Sequence, residues 1–293
     1  MRKIVMRSMK YSTILVAILL LSSFHISSFR MFTQYRETDQ LIAEHLKEKN
    51  LDFQIGYYQV GDRKMRYLTI DNKAKDNLIF IHGAPGSLSK YDKYFNDSLL
   101  KKHYNLYVID RPGYGYSGFG EAEVHIDKNV EDIKPVFDLI KNQTGKNILV
   151  GQSYGGPIAS RIAMLYPELV DGLVLINPAI QPGEERTYGI SNWMVKEEYC
   201  DFFPTMLVTA SKEKLAHKAE LKTIEHDWKK IHCRVTMIQG LNDELVYPSN
   251  ISYLQKNISD SLLQVIPLAG ETHFLSKATY PKIVSSFLEM VAK

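Results

Sequence analysis

The stretch that decides the fold is KNILVGQSYGGPIASRIAMLY, residues 146–166. Its apolar run at 148–150 predicts a buried β-strand, and the spacing of Ile158, Ile162 and Leu165 predicts a helix after it. Between them, residues 151–155 have the pattern G-x-S-x-G, which in this strand–turn–helix setting is typical of a nucleophile elbow. Ser153 is therefore the first candidate catalytic residue.

A turn of this kind strains its central residue and exposes the serine oxygen at the end of the sheet. Gly151 and Gly155 flank Ser153, and we expect a Cβ at either position to collide with a neighbouring strand or helix. The helix that follows directs its free N–H groups towards the same place, where they favour negative charge. Taken alone, the pattern also fits a tight strand–helix turn with an incidental serine.

The composition of the 293-residue chain is that of a globular protein, with 45% hydrophobic and 24% charged residues. This length suits one α/β domain with an insertion or two small domains. The formal net charge is +3, and since four positive side chains precede residue 11, the remainder sums to −1. Nothing in this distribution indicates nucleic acid as a partner. Cys200 and Cys233 are too few for a disulfide framework or a zinc site, and they could form one bridge or stay unpaired.

The N-terminal segment has a basic start, followed by residues 11–29 without Asp, Glu, Lys or Arg. Its most apolar part, 14–21, is short, as in a secretory signal, but no small-x-small cleavage site is well placed after it. The uncharged span is just long enough to cross a bilayer as a helix. We predict a signal anchor over 1–30, with a cleaved signal peptide or a buried structural helix as alternatives. An anchor places the catalytic domain at the membrane, outside the cytoplasm, and a cleaved signal gives a secreted or periplasmic protein.

Residues 31–51 are polar and amphipathic and predict a helical linker between this segment and the folded domain. From residue 52 the pattern predicts a hairpin, with strands 53–60 and 65–70 around a Gly61-Asp62 turn. Strands and helices then alternate, which indicates an α/β fold with a mostly parallel sheet and helices on both faces. The further predicted strands are 78–82, 106–109, 148–150, 173–176, 235–239 and 262–266, and the predicted helices are 88–102, 127–141, 153–166, 248–256 and 277–291.

The alternation stops between the sixth and seventh predicted strands. We therefore predict a core of residues 52–179 and 233–293, with 180–232 inserted after the sixth strand as a small cap that has a helical stripe over 211–231. An insertion at this point covers the carboxyl ends of the parallel strands, where ligands bind in open α/β sheets. We expect some of its large apolar side chains to line a substrate pocket and most to form the core of the cap; they are Tyr188, Trp193, Met194, Tyr199, Phe202 and Phe203.

A serine nucleophile needs a base within hydrogen-bond reach and a group that orients that base. After a nucleophile elbow of this type, the acid and then the histidine follow in the chain. Asp243 follows the predicted strand 235–239 and His273 follows 262–266, so both lie on the same rim of the sheet as Ser153. Asp243 could instead form an Asx turn or carry a helix N-terminal charge, with Glu244 as an alternative acid. His273 could be a solvated loop histidine.

The tetrahedral intermediate of acyl transfer also needs two N–H donors. The backbone of Tyr154, directly after the candidate nucleophile, is one predicted donor. The loop 82–87, HGAPGS, supplies the other, with the N–H of Ala84 directed into the site. His82 is a conceivable base, but we interpret it as a residue that braces this loop.

A literal G-x-G-x-x-G at 113–118 follows a predicted strand and resembles a dinucleotide-binding fingerprint. That fingerprint must open directly into a helix, whose N-terminus meets the pyrophosphate. Here the helical pattern begins only near Asp127, so dinucleotide binding is disfavoured. The chain contains neither a G-x-x-x-x-G-K-[ST] phosphate loop nor an H-E-x-x-H zinc motif. We therefore predict no metal and no organic cofactor.

Five ordered motifs together resemble the α/β-hydrolase fold family, in its serine hydrolase or esterase branch. They are HGAPG at 82–86, DRPGYGYS at 110–117, GQSYGG at 151–156, G-x-x-D at 240–243 and HF at 273–274, and the resemblance spans about 52–293 without the cap. It implies Ser153 as nucleophile, Asp243 as acid, His273 as base, and the backbone N–H groups of Ala84 and Tyr154 as oxyanion donors.

The family carries many activities, so the resemblance alone does not fix the substrate. A serine at the elbow disfavours relatives similar to epoxide hydrolases and haloalkane dehalogenases, which use aspartate there. We predict a hydrolase that cleaves a small or acyl-chain-like carboxylic ester through an acyl-enzyme. Alternatives are an aminopeptidase similar to proline iminopeptidases, whose elbow usually has Trp where this chain has Tyr154, another acyl-transfer enzyme or lyase, and a non-catalytic binding protein.

Overall fold

The computed structural model describes residues 36–140 and 144–291. In this part of the chain eight strands form one sheet: β1 (Phe53–Val60), β2 (Arg63–Ile70), β3 (Asp76–Ile81), β4 (Tyr104–Ile109), β5 (Asn147–Gln152), β6 (Gly172–Ile176), β7 (Arg234–Gly240) and β8 (Leu263–Leu268). Their order is β1-β2-β4-β3-β5-β6-β7-β8. The pairs β1–β2 and β2–β4 are antiparallel, and the other neighbours are parallel. The predicted α/β class and mostly parallel sheet are confirmed.

The chain enters the sheet through the predicted hairpin. Val60 pairs with Arg63, so that the turn consists of Gly61 and Asp62 alone. Gly61 has φ +56°, a left-handed conformation that glycine adopts without a steric penalty. This two-residue turn fixes the register of β1 against β2.

Helices cover both faces of the sheet, as predicted. The α-helices of the described residues are α1 (Asp39–Glu48), α2 (Asp92–Phe95), α3 (Ser98–His103), α4 (Ile126–Ile133), α5 (Gly155–Leu165), α6 (Ser191–Met194), α7 (Thr205–Ile224), α8 (Ser249–Asn257) and α9 (Tyr280–Glu289). One apolar cluster joins one face of the sheet to α4, α5 and α8, with Val130, Ile158 and Leu254 among its buried members. A second joins the opposite face to α1, α3 and α9, through residues such as Leu46 and Phe287.

Two predicted helices are interrupted in the structure. The segment predicted as one helix over 88–102 is a 3₁₀ turn followed by α2 and α3. The break occurs because the Asp97 side chain accepts hydrogen bonds from the N–H groups of Leu99 and Leu100, each 2.9 Å long, and so caps a new helix. The helix predicted over 127–141 ends at Ile133 and continues as 3₁₀, since Pro135 cannot donate an α-helical hydrogen bond.

Helix α1 lies in the predicted linker 31–51, but it does not stand apart from the domain. Its apolar stripe buries Ile42 and Leu46 in the second cluster. At its start, Asp39 accepts a hydrogen bond from Tyr57, 2.8 Å long, and pairs with Arg66 at 2.8 Å. The predicted linker is helical over Asp39–Glu48, and its amphipathic face packs on the sheet.

The cap region also differs from its prediction. Helix α7 begins at Thr205, six residues before the predicted stripe, and buries Leu221 and Ile224 as that stripe requires. The large cap side chains, however, do not mostly form a core: Tyr188, Trp193 and Phe202 are 46%, 55% and 76% exposed. The short helix α6 and the 3₁₀ turn Cys200–Phe202 are too small to bury them.

The predicted anchor over 1–30 lies outside the described residues and stays a prediction. Among the residues that are described, no helix combines the length and hydropathy needed to span a bilayer. Cys200 and Cys233 are unpaired.

Candidate active site

Ser153 lies in the turn between β5 and α5, as the elbow motif predicts. Its φ is +52°, an uncommon conformation for a residue with a side chain. A Cβ on Gly155 would lie 2.1 Å from the carbonyl oxygen of Ile81, and one on Gly151 would lie 2.7 Å from that of Gly155. The expected collisions at both glycines are confirmed, so the tight packing of β5, α5 and β3 holds the serine in its strained turn.

Asp243 and His273 reach Ser153 from two other strand ends. Asp243 follows β7 and His273 follows β8. His273 Nε2 lies 3.1 Å from Ser153 Oγ, and His273 Nδ1 lies 2.8 Å from Asp243 Oδ2. The structure thus brings together three side chains that are far apart in the sequence.

The Asp243 carboxylate is buried and fixed by its own loop. Its Oδ1 accepts hydrogen bonds from the N–H groups of Leu245 and Val246, both 2.8 Å long. These bonds fix the carboxylate and leave Oδ2 directed at His273. Glu244, the alternative acid, has a side chain that is 83% exposed and pairs with Arg186 at 3.5 Å. It does not contact His273.

Asn177 is a site residue that the sequence did not reveal. It follows β6 directly, is fully buried and has φ +44°. Its Nδ2 donates to the carbonyl oxygen of His273 at 2.9 Å, and its Oδ1 accepts from the N–H of Gly240 at 2.8 Å. One amide therefore ties the end of β7 to the loop of His273. The one signal in the sequence that could have indicated this residue is its position directly after a buried strand.

The predicted oxyanion donors lie beside the serine. Ala84 and Tyr154 line the same cavity as Ser153 and His273. Within the described part of the chain, neither backbone N–H donates to a backbone carbonyl or to a side chain. Both groups are therefore available to a ligand.

His82 is fully buried and braces the loop that carries Ala84. Its Nδ1 donates to the carbonyl oxygen of Gly83 at 2.7 Å, and its Nε2 accepts from the N–H of Arg111 at 3.0 Å. Burial and the Arg111 charge hold the pKa of His82 well below its usual value, so the ring is neutral. This arrangement agrees with a bracing role and leaves no nitrogen of His82 for Ser153.

The 113–118 loop does not open into a helix. It wraps around the buried carboxylate of Asp110, which accepts hydrogen bonds from the N–H groups of Leu88 at 2.7 Å and Tyr116 at 3.0 Å. A Cβ on Gly115 would lie 2.0 Å from Asp110 Oδ2, which explains the glycine. The loop packs against a carboxylate of the protein itself, in agreement with the rejection of dinucleotide binding.

A cavity of about 310 Å³ opens at Ser153 between the sheet and the cap. Its walls are mainly apolar, with Met194 and Leu207 from the cap and Val246 from the acid loop. Two lysines, Lys90 and Lys214, also line it. Among the described residues, no group of His, Cys, Asp and Glu is arranged to hold a metal ion.

Comparison with known proteins places these features in a family. The family model described as the alpha/beta hydrolase fold matches residues 76–194, which include Ser153 and end before Asp243. A solved serine hydrolase from Cycloclasticus zankles has a TM-score of 0.63 at 16% identity, covering 83% of this chain and 100% of that one. The chain has the α/β-hydrolase fold. A solved esterase of Pyrococcus furiosus has the same fold, with a TM-score of 0.61 at 19% identity over 84% of this chain and 94% of that one.

Sequence relatives of this chain have names of different activities, among them an epoxide hydrolase and a putative esterase/lipase. Mouse epoxide hydrolase 4 is 29% identical over 128 residues, which are 41% of this chain and 34% of that protein. The chain spans about a third of the length of the first curated relatives that it matches. These likenesses support a hydrolase and do not identify the bond that it cleaves.

Proposed function

We propose that this α/β hydrolase cleaves carboxylic esters, with Ser153 as nucleophile, His273 as base and Asp243 as the acid that orients the base. The observation that supports the proposal is the continuous line from the Ser153 hydroxyl through His273 to the buried Asp243 carboxylate, with distances of 3.1 and 2.8 Å. A serine hydroxyl is a weak nucleophile at neutral pH, and this arrangement is what activates it.

In the proposed reaction His273 Nε2 takes the hydroxyl proton as Ser153 Oγ attacks the ester carbon. The carbonyl oxygen becomes an oxyanion, which the N–H groups of Ala84 and Tyr154 stabilise. His273 then gives its proton to the departing alcohol, and an acyl-enzyme remains. Water, deprotonated by His273, attacks this acyl group and releases the acid and free Ser153. Asp243 accepts the Nδ1 hydrogen bond throughout and stabilises the charged imidazolium.

The substrate is an ester of modest size. The cavity of about 310 Å³ is at the lower end of ligand sites, and its apolar walls suit a short hydrocarbon acyl group. Epoxide opening, as in the name of the mouse relative, does not suit Ser153. Attack by an alcohol on an epoxide forms an ether, which water does not cleave under mild conditions, whereas a carboxylate nucleophile forms an ester that can be hydrolysed.

An assay with p-nitrophenyl esters from acetate to octanoate tests the activity. We expect release of p-nitrophenol, best with the short chains, and a loss of turnover of at least ~10⁴-fold in Ser153→Ala. Near-normal turnover in that variant rejects the mechanism. Cleavage of prolyl p-nitroanilide in preference to every ester supports an aminopeptidase, a transfer product with added alcohol supports an acyltransferase, and no product at all supports a binding protein.

We also propose, from the sequence of residues 1–30 alone, that the protein is held at a membrane with its catalytic domain outside the cytoplasm. Its basic start and uncharged span suit a signal anchor. Fractionation of cells that express the full chain tests this: alkaline carbonate should leave the protein in the membrane pellet, and removal of residues 1–30 should release it. Recovery of the intact full chain in the soluble fraction contradicts the proposal.

A further inference from the structure

Lys90 is a cation in the wall of the cavity that contains Ser153 and His273, and the proposed ester chemistry does not use it. The other lysine of the cavity, Lys214, is neutralised by Glu185 at 2.9 Å. Lys90 differs from it, because within residues 36–140 and 144–291 no acidic side chain pairs with its ammonium group. The cavity therefore carries one positive charge without a counterion from the described protein.

The surroundings of Lys90 disfavour the charged form of its side chain. Burial first, and then the positive charges of Lys93 and Arg111, lower the pKa of Lys90 to about 8. A charged group that is partly removed from water needs a partner of opposite sign. An anionic ligand would supply that partner.

We propose that the substrate is an ester that carries a second, ionised carboxylate, and that Lys90 pairs with this carboxylate. The inference rests on the proposed function and specifies its substrate class. The same cavity has apolar walls, which include Met194 and Leu207 and suit the hydrocarbon part that separates the ester from the carboxylate. A neutral ester would leave the Lys90 ammonium unpaired, so Lys90 is a residue that determines specificity.

Two pairs of esters that differ only in charge test the inference. The first pair is the mono-p-nitrophenyl ester of hexanedioic acid and its methyl ester, which place the charge on the acyl side. The second pair is 4-(butanoyloxy)benzoate and its methyl ester, which place it on the alcohol side. We expect kcat/KM in at least one pair to favour the carboxylate by about 10- to 100-fold, the range of a hydrogen bond between charged groups.

Variants of Lys90 separate charge recognition from a structural role. Lys90→Met should abolish the preference for the charged ester over the neutral one, and Lys90→Arg should restore most of this preference. The matched control is Lys93→Met, since Lys93 is an exposed lysine three residues later that does not line the cavity. It should leave the preference intact. Equal losses for both members of a pair in Lys90→Met overturn the inference.

The preference should also depend on pH. Lys90 is charged below its pKa of about 8 and neutral above it, so the ratio of the two kcat/KM values should be high at about pH 6.5 and fall by about pH 9.5. Because both esters of a pair are cleaved by the same residues, effects of pH on the chemical step common to both cancel in the ratio. Lys90→Arg should keep the ratio at high pH. The charged and titratable groups around Lys90 are Lys93, Arg111 and His82, with Glu185, Lys214 and His273 also lining the cavity.

Failure of the inference and failure of the proposed function give different results. If Ser153 hydrolyses the neutral esters and shows no preference for the charged ones, the inference about Lys90 is overturned. The proposed ester hydrolase function is then still supported. If no ester is cleaved, the proposed function fails, and calorimetric titration with hexanedioate decides the inference. Binding that weakens at least about tenfold in Lys90→Met supports an anion site, and no binding to the wild type overturns it.

Discussion

Asn177 joins the two loops that carry Asp243 and His273. Its side chain makes one hydrogen bond to the end of β7 and one to the carbonyl oxygen of His273, at 2.8 and 2.9 Å. A catalytic base must be held within a fraction of an ångström of its working position. Under the proposed mechanism, Asn177 is therefore a positioning residue that affects the rate without touching the substrate.

Replacement of Asn177 by Gly removes the amide and keeps the left-handed backbone free of strain. We expect kcat for a p-nitrophenyl ester to fall by about 10- to 100-fold, with KM within about threefold, because His273 loses its fixed position. The matched control is Asn257→Gly in α8, where the amide donates to the carbonyl oxygen of Tyr253 at 2.8 Å, away from the cavity. A folded Asn177→Gly variant with wild-type kcat contradicts this role.

Single residues differ in how far the sequence predicts them. Ser153 was predictable because its glycine neighbours and the strand–helix context form a pattern, and Asp243 and His273 because each follows an apolar run in the expected order. Asn177 directly follows a buried strand and Lys90 belongs to no motif, so neither position indicates its contacts. The partners of Asn177 lie at the ends of other strands, and the cavity around Lys90 is formed by distant segments, so only the folded chain shows what surrounds them.

At the scale of elements, helix α7 ties the cap to the loop beside the serine. Glu213 of α7 forms a bidentate pair with Arg111, at 2.7 and 3.1 Å, and both side chains are fully buried. Tyr114 donates to the same carboxylate at 2.6 Å, and Arg111 Nε donates to the carbonyl oxygen of His82 at 2.7 Å. Burial would lower the pKa of Arg111, but Glu213 raises it above its usual range, so the guanidinium stays charged.

The substitution Glu213→Gln leaves the Arg111 charge buried with no anion beside it. We expect the free energy of unfolding to fall by about 3–5 kcal/mol, which is the usual effect of removing one partner of a buried ion pair and leaving the other charge uncompensated. Urea denaturation measures this free energy, and Glu225→Gln, at the half-buried residue directly after the same helix, should change it by less than about 0.5 kcal/mol. Equal stability of the two variants means that the pair does not hold the cap.

The elements themselves were predictable to different degrees. All eight strands were predicted: β1 and β2 as a hairpin around the Gly61-Asp62 turn, and the other six as short runs rich in apolar residues. The break at Asp97 was not predicted, because the spacing of apolar residues does not show that a helix N-cap residue starts a new helix there. The docking of α1 was missed for another reason: Leu46 shows which face is apolar, and the sequence does not show what that face meets. Trp193 and Phe202 of the cap are exposed because the helical segments that carry them are too short to bury large side chains.

At the scale of the whole molecule, the sheet order brings distant parts of the chain to one rim. The chain runs from β3 to β4 on one side and to β5 on the other, and β6, β7 and β8 then follow in sequence order. Since β5, β7 and β8 are parallel, their carboxyl ends lie together, which places Ser153 next to a histidine 120 residues later. The family motifs predict this convergence, but the substrate depends on the cavity, where cap and sheet side chains combine.

Fluorophosphonate labelling followed by peptide mass spectrometry tests most directly whether Ser153 is activated by His273. We predict one adduct on the peptide that contains Ser153, and no adduct at that residue in His273→Ala. Labelling of a different serine, or undiminished labelling of Ser153 in His273→Ala, would contradict the account.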